Sequence, residues 1–260
     1  MPLPTHLIDT SFYVEKMKNK VALVTGGGRR LGRQICLALA RGGFDIAVNY
    51  NRSKKEADKT LKDIHELGRA GIIIGADVSN QLQVKKMVKK AMSEFGHIDL
   101  LVNNAAVFIE SPLMKTSERI WSQTIDTNLK GTFLCSQAVG EIMLKRGVGR
   151  IINIASLGGI QAWSRYLPYS VSKAGVIMLT KCLAKSLAPR ISVNAVAPGT
   201  IIINGEEGPM VRHISTNKIP LQKYGKPSDI TSLIIFLATA AEYITGQIFT
   251  VDGGRSIGQS

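Results

Sequence analysis

The chain has 260 residues, 45% of them apolar, and its 33 basic and 19 acidic side chains give a net charge of +14. That length buries a substantial core without disulfide or metal staples. Three cysteines at spacings that match no metal motif argue against a disulfide framework and for a reducing, cytoplasmic setting.

Residues 1–18 read as an appended arm with no basic region followed by an apolar core, so no leader peptide is expected, and 19–260 read as one domain. No apolar run approaches the ~20 residues that span a bilayer, so no membrane partner is expected. The first short apolar run, 21–25, leads through a glycine turn into a helical pattern over 31–41. Further β-branched runs follow at 46–50, 71–76, 100–103, 150–155, 192–197 and 247–251. Helical patterns fill the gaps at 54–67, 81–95, 120–145, 169–187 and 228–239. Continuously apolar strands alternating with helices predict an α/β fold: a doubly wound (Rossmann) parallel sheet of about seven strands with helices on both faces. Residues 200–226 carry no clear pattern, as a lid or binding segment would.

The glycine turn reads "TGGGRRLG", Thr25 to Gly32. A glycine-rich turn between strand and helix lets backbone approach a pyrophosphate, which then meets the positive helix N-terminus. The dinucleotide fingerprint places a carboxylate some 20 residues on, for the adenosine ribose. This chain has "NYNRS" there: Asn49, Tyr50, Asn51, Arg52 and Ser53; Asp45 stands one strand length too early. A guanidinium binds a 2′-phosphate that a carboxylate would repel. Arg29, Arg30 and Arg52 are therefore expected to converge on one phosphate, which predicts NADP(H) over NAD(H).

"YSVSK", Tyr169 to Lys173, puts a phenol and an ammonium on one helix face. A cation beside the phenol moves its pKa toward the working range of an acid–base catalyst. Ser156 ends the buried run "IINIAS", where ligands bind in such sheets, and can donate to a carbonyl. Asn128 lies mid-helix, where asparagine is unfavourable unless its side chain serves something. The lysines (Lys54, Lys55, Lys59, Lys62, Lys85, Lys86, Lys89, Lys90) fall on polar helix sides with no aromatic interleaving. They read as a solvated surface before an acidic partner, and as either before nucleic acid. His6, His65, His97 and His213 are scattered, and no metal site is expected.

Together, "TGGGRRLG", "DVS" at 77–79, "NNAA" at 103–106, Asn128, Ser156, "YSVSK" and "VNAVAPGT" at 193–200 resemble, in order and spacing, the short-chain dehydrogenase/reductase family over residues 19–258. The resemblance implies Tyr169 as proton donor, Lys173 on the nicotinamide ribose and lowering the Tyr169 pKa, Ser156 orienting the carbonyl, and Asn128 holding a relay water through a local helix distortion. It implies cofactor contacts from Gly26, Arg29, Arg30 and Leu31, from Asn51, Arg52 and Ser53, and from Asp77 and Val78 at the adenine. Further contacts are implied from Asn104, Ala105 and Ala106, and from Pro198, Gly199 and Thr200 at the nicotinamide end. It also implies a homotetramer. Arg30, where the commonest family loop has glycine, and "NYNRS" resemble the pteridine reductase branch. Serine rather than aspartate at 156 resembles the 3-oxoacyl-carrier-protein reductases and general carbonyl reductases.

The expected activity is NADPH-dependent reduction of a carbonyl to an alcohol by hydride transfer, with Tyr169 as proton donor and a small-molecule carbonyl substrate. A 3-oxoacyl thioester on a carrier protein is one candidate, with Arg146 and Arg190 near the family's carrier-docking edge; a pterin, quinone, sugar or steroid is another. Ile201, Ile202, Ile203 and Met210, with Trp163 and Leu167 opposite, are expected to select it. A pteridine or dihydrofolate-type reductase and a non-catalytic NADPH-binding sensor are the alternatives; the intact Asn128, Ser156, Tyr169 and Lys173 argue against the sensor.

Overall fold

The computed structural model describes residues 20–203 and 214–257. The expected arm at 1–18, and Met210 and His213 of the expected substrate loop, lie outside the described residues, as do 258–260.

Among the described residues there are seven strands: β1 Val21–Val24, β2 Asp45–Tyr50, β3 Gly71–Gly75, β4 Leu100–Asn103, β5 Gly149–Ile154, β6 Ile191–Pro198 and β7 Ile248–Val251. All pair in parallel, in the order β3-β2-β1-β4-β5-β6-β7. The helices are α1 Arg30–Arg41, α2 Lys54–Glu66, α3 Gln81–Phe95, α4 Glu118–Ile125, α5 Gly131–Arg146, α6 Leu167–Leu187 and α7 Pro227–Thr239.

Both sheet faces are covered, and the strands show why they must be apolar throughout. Side chains alternate between faces along a strand. Ala22 and Val24 join one core with Ile35 and Leu39 of α1 and Ile234 of α7. Leu23, between them, joins the other core with Met87 of α3 and Met143 of α5. Each such side chain contributes roughly 1.5–3 kcal/mol when fully buried. Strand order reverses between β1 and β4, so a crevice opens beyond their carboxyl ends.

The helix expected over 120–145 is divided. α4 passes into a π turn at Asp126–Lys130, and α5 resumes at Gly131. The turn exists because Asn128 is buried and tied elsewhere, while the Thr132 hydroxyl donates to its carbonyl at 2.8 Å. Gly131 then permits close passage, since a Cβ there would meet Val78 at 2.7 Å. α6 starts at Leu167, two residues earlier than expected, with Pro168 in its first turn where a missing N–H costs nothing.

Candidate active site

Three side chains stitch the carboxyl ends of the central strands. The Asn49 amide oxygen accepts from Gly26 N at 3.2 Å, and its nitrogen donates to the carbonyls of Ile74 and Ala76. The Thr25 hydroxyl accepts from Asn104 N and Ala105 N at 2.9 and 3.0 Å. The Asn104 amide nitrogen donates to the carbonyls of Thr25 and Gly26. Gly26 takes φ +61°, and a Cβ on Gly32 would run into the Gly26 carbonyl. The first turn of α1 thus packs directly on the β1 and β4 loops, leaving a cradle of backbone for a phosphate. Arg30 opens that helix with φ +50°, in the left-handed region that favours glycine.

The crevice is a cleft of about 980 Å³. Every residue expected to hold cofactor lines it, from Gly26, Arg29, Arg30 and Leu31 through Asn51, Arg52, Ser53, Asp77, Val78, Asn104, Ala105 and Ala106 to Pro198, Gly199 and Thr200. So do Ser156, Tyr169 and Lys173; of the four residues expected to do the chemistry, Asn128 alone does not. The glycine cradle and the arginine-lined end fit a dinucleotide. Two carboxylates also stand at that end: Asp77, which the resemblance placed at the adenine, and Glu56, which sequence reading missed. Glu56 lines the wall, and Asp77 accepts from Ser79 N and Oγ at 2.9 and 2.7 Å. Burial pushes the Asp77 pKa up, but hydrogen bonds from Ser79 and Asn51 and the nearby Arg52 outweigh it and hold the carboxyl below its ordinary range.

At the other end, Ser156 follows β5 and Tyr169 sits in the first turn of α6. Their hydroxyls are near enough for Ser156 to favour ionisation of the phenol, and Ser156 Oγ accepts from Gly158 N at 3.1 Å. Lys173 is buried one turn on, its Nζ donating to the Ile154 carbonyl at 2.6 Å and lying 5.8 Å from the Tyr169 ring centroid. Burial pushes the Lys173 pKa down to about 8. Burial also raises that of Tyr169, and the Ser156 hydrogen bond offsets this only in part. The expected lowering of the Tyr169 pKa by Lys173 is not a feature of the protein alone, which holds Tyr169 as a neutral phenol, the form that gives a proton.

Asn128 acts from behind this wall. Its Oδ1 accepts from Val107 N at 2.8 Å, and its Nδ2 donates to the Val107 carbonyl and to Ser172 Oγ, each at 3.0 Å. Ser172 in turn donates to the Tyr169 carbonyl at 2.7 Å. The amide therefore braces the β4 loop against the turn of α6 that carries Tyr169 and Lys173.

The substrate side has an aromatic wall. Phe108 stacks on Tyr166 at 4.3 Å and meets Tyr169 edge-on at 4.6 Å, while Trp163 lies nearly parallel to Tyr169 at 6.3 Å. Gly158 makes room for the indole, since a Cβ there would stand 2.7 Å from it. Ile201 and Ile203 line the cleft; Ile202 and Leu167 do not. Sequence reading missed Val107 and Phe108, which directly follow "NNAA", and Ser172 inside "YSVSK". It also missed Arg119 and Gln123, one turn apart on α4, which line the cleft. Arg146 pairs with Asp99 at 2.7 Å and Arg190 donates to the Leu144 carbonyl. Asp99 precedes β4, so this pair sits at the end of the sheet away from the cleft. His65 and His97 are not on the cleft wall, and among the described residues no three His, Cys, Asp or Glu cluster as a metal site would. No helix among them is long and apolar enough to cross a membrane.

A family model described as enoyl-(acyl carrier protein) reductase matches residues 27–256. A 3-oxoacyl-[acyl-carrier-protein] reductase of Synechocystis is 44% identical over 238 residues, 90% of this chain and 96% of the relative. A 3-oxoacyl-[acyl-carrier-protein] reductase FabG of Staphylococcus epidermidis is 43% identical over 240 residues, 91% of this chain and 98% of the relative. Among solved structures, a putative short-chain alcohol dehydrogenase from Sinorhizobium meliloti matches with a TM-score of 0.88 at 34% identity, covering 93% of this chain and 98% of that one. An NAD+-bound xylitol dehydrogenase matches at 0.86 and 28% identity, covering 92% and 100%.

Proposed function

The chain belongs to the short-chain dehydrogenase/reductase family, and from that premise we propose that it reduces the 3-oxo group of acyl thioesters, carried on an acyl carrier protein, with NADPH. The observation that carries this reading is the meeting of Ser156 and Tyr169 on the cleft wall, with buried Lys173 one helical turn behind and its Nζ 5.8 Å from the Tyr169 ring centroid. Two hydroxyls aimed at one place suit a substrate oxygen. The names of the two curated relatives agree with a 3-oxo substrate.

The dinucleotide, when bound, supplies the hydrogen and electron pair that reach the carbonyl carbon. Ser156 donates to the carbonyl oxygen and stabilises the charge that develops there. Tyr169 gives that oxygen its proton, and its raised pKa keeps the proton available at neutral pH. Lys173 keeps a positive charge beside the phenol as it becomes phenolate. Asn128 and Ser172 hold the α6 turn in register. The aromatic wall, with Ile201 and Ile203, excludes water and takes the apolar acyl chain.

The partner set follows. NADPH is preferred over NADH because Arg29, Arg30 and Arg52 line the adenosine end. Arg146 and Arg190, facing away from this chain's cleft, are not the ground for carrier docking. The exposed Phe133 of α5 and Val171 and Met178 of α6 mark faces that other copies cover in a homotetramer. The cysteines are all free, two of them buried, as a reducing cytoplasm allows.

The test is initial-rate reduction of an acetoacetyl thioester with NADPH and with NADH, by wild type and Tyr169→Phe. The expected result is turnover with NADPH and a loss of kcat of about 100-fold or more in the variant. Turnover by Tyr169→Phe at the wild-type rate refutes the mechanism, and turnover of a pterin but no thioester moves the protein to the pteridine branch.

A further inference from the structure

Behind the aromatic wall lies a second, smaller cavity of about 210 Å³, lined by Trp163, Ser164, Arg165, Tyr166, Ile214 and Arg255. Trp163 also lines the main cleft, so the indole is the partition between the two. The two arginines differ. Arg165 is exposed and donates through Nε and Nη2 to Glu110, at 3.0 and 2.6 Å. Arg255 is half-buried, and its guanidinium lies 5.6 Å from the Trp163 ring centroid. Its Nη1 donates to the Thr200 hydroxyl at 3.2 Å, and its backbone carbonyl accepts from Gln161 Nε2 at 3.1 Å. Among the described residues it has no ion-pair partner within 4 Å. Asp252, three residues earlier, influences it at longer range and spends its carboxylate oxygens on Gly254 N and Ser256 N.

A half-buried guanidinium with a hydroxyl for partner is costly unless something compensates the charge. Its planar fork still offers several N–H donors in the geometry an oxyanion accepts. A second orphan stands beside it: the indole Nε1 of Trp163 is buried with no hydrogen-bond partner. Both donors belong to residues that line the side cavity, and the indole of Trp163 also lines the cleft. The two ring distances put Arg255 within about 12 Å of the Tyr169 ring. An anionic group several bonds from a carbonyl held at Tyr169 can reach it.

We propose that Arg255 and the cavity behind Trp163 form a subsite for an oxyanion borne by the substrate itself, so that Arg255 is a specificity residue for anionic substrates. The proposal rests on the carbonyl-reductase reading above and deepens it. On a thioester the oxyanion has two sources, the phosphate of the thiol arm or a carboxylate ending the acyl chain. Either would face the Arg255 fork and exchange a solvated anion for a charge-assisted pair.

The test compares three thioesters of one 3-oxoacyl length: the coenzyme A ester, the neutral N-acetylcysteamine ester, and the N-acetylcysteamine ester with a terminal carboxylate. kcat/KM is measured for wild type, Arg255→Gln and Arg255→Lys. Arg255→Gln is expected to reduce the preference for one anionic ester over the neutral one by tenfold or more, chiefly through KM, and Arg255→Lys to restore part of it. Loss with the coenzyme A ester assigns the phosphate, and loss with the carboxylate ester assigns the acyl terminus. An equal fall on all three esters overturns the proposal and leaves Arg255 a brace for Trp163. So does the absence of any change. A second measurement leaves Arg255 untouched. In a Trp121→Phe background, inorganic phosphate titrated onto the protein should change Trp163 fluorescence saturably, and a flat titration overturns the subsite. Wild-type turnover of the neutral ester tests the reductase reading separately from both.

Discussion

Arg30→Gly separates stability from cofactor affinity in a single side chain. Arg30 sits at φ +50° in the turn after β1, exposed at the mouth of the cleft. A non-glycine residue in the left-handed region costs about 1–2 kcal/mol. Glycine removes that cost but loses about 0.5–1 kcal/mol through its larger freedom in the unfolded chain. Burial adds nothing to the balance, because the side chain is exposed. The net is a stabilisation of roughly 0.5–1 kcal/mol in the ligand-free protein. For a domain near this size 1 kcal/mol moves the melting temperature by about 2–4 °C, so a rise of about 1–4 °C is expected. The same change removes a guanidinium from the adenosine end. NADPH affinity should then fall about tenfold, equivalent to about 1.4 kcal/mol, with NADH affinity moving far less. The assay is thermal unfolding with and without saturating NADPH, alongside fluorescence titration with each dinucleotide. A lower ligand-free melting temperature would refute the strain argument. An unchanged ratio of NADPH to NADH affinity would refute the role given to the side chain.

Two further outcomes follow from the site. Lys173 has a folded-state pKa of about 8 against an ordinary 10.5, so its charge is lost above about pH 8 and kcat/KM for reduction should fall there. Between those values the folded state holds fewer protons than the unfolded one, so the Lys173 contribution to stability rises with pH while activity falls. A pH–rate profile with no limb near 8, or a Lys173→Met variant that melts with the wild-type pH dependence, would contradict this. Asn128→Ala strands the Val107 peptide groups and frees Ser172; at about 1–3 kcal/mol for each buried group left unpaired, urea unfolding should show a loss of about 2–5 kcal/mol. A fall in kcat larger than the change in KM is expected with it, because the brace positions Tyr169 without touching substrate.

The parts of the fold legible in the sequence were those set by local periodicity. Residues 21–24 and 100–103 read as strands because apolar side chains run unbroken where both faces are covered. The glycine turn was legible because only a backbone free of Cβ atoms lets α1 rest on the Gly26 carbonyl. The π turn at Asp126–Lys130 has no periodicity of its own. Its cause is the Asn128 bracket to Val107 and Ser172, and Val107 lies 21 residues away in sequence. The substrate wall was least legible. Phe108, Trp163 and Arg255 come from three loops, and their meeting is decided by packing at Gly158 and by the turn that Asp252 caps. Window-based reading registers none of these.

The same limit bears on cofactor preference, where the carboxylate missing after β2 is replaced by one after β3. Asp77 stands near Arg52 and could in principle serve a ribose hydroxyl. Its Oδ1 already accepts from Ser79 N and Ser79 Oγ, and redirecting that oxygen costs up to two hydrogen bonds. Glu56 is exposed, so water and salt screen it from whatever binds beside it. Against these stand Arg29, Arg30 and Arg52, whose N–H groups are donors only. A ribose 2′-hydroxyl that seeks an acceptor there meets a carboxylate whose Oδ1 already takes two hydrogen bonds. A 2′-phosphate brings acceptors and about two negative charges to three donors. At an effective dielectric of about 20, one such pair at 4 Å is worth about 4 kcal/mol before desolvation is subtracted, and only a fraction of that is needed for a tenfold preference. The proposed preference for NADPH thus rests on what the adenosine end offers: three guanidinium groups against one carboxylate whose Oδ1 already takes two hydrogen bonds.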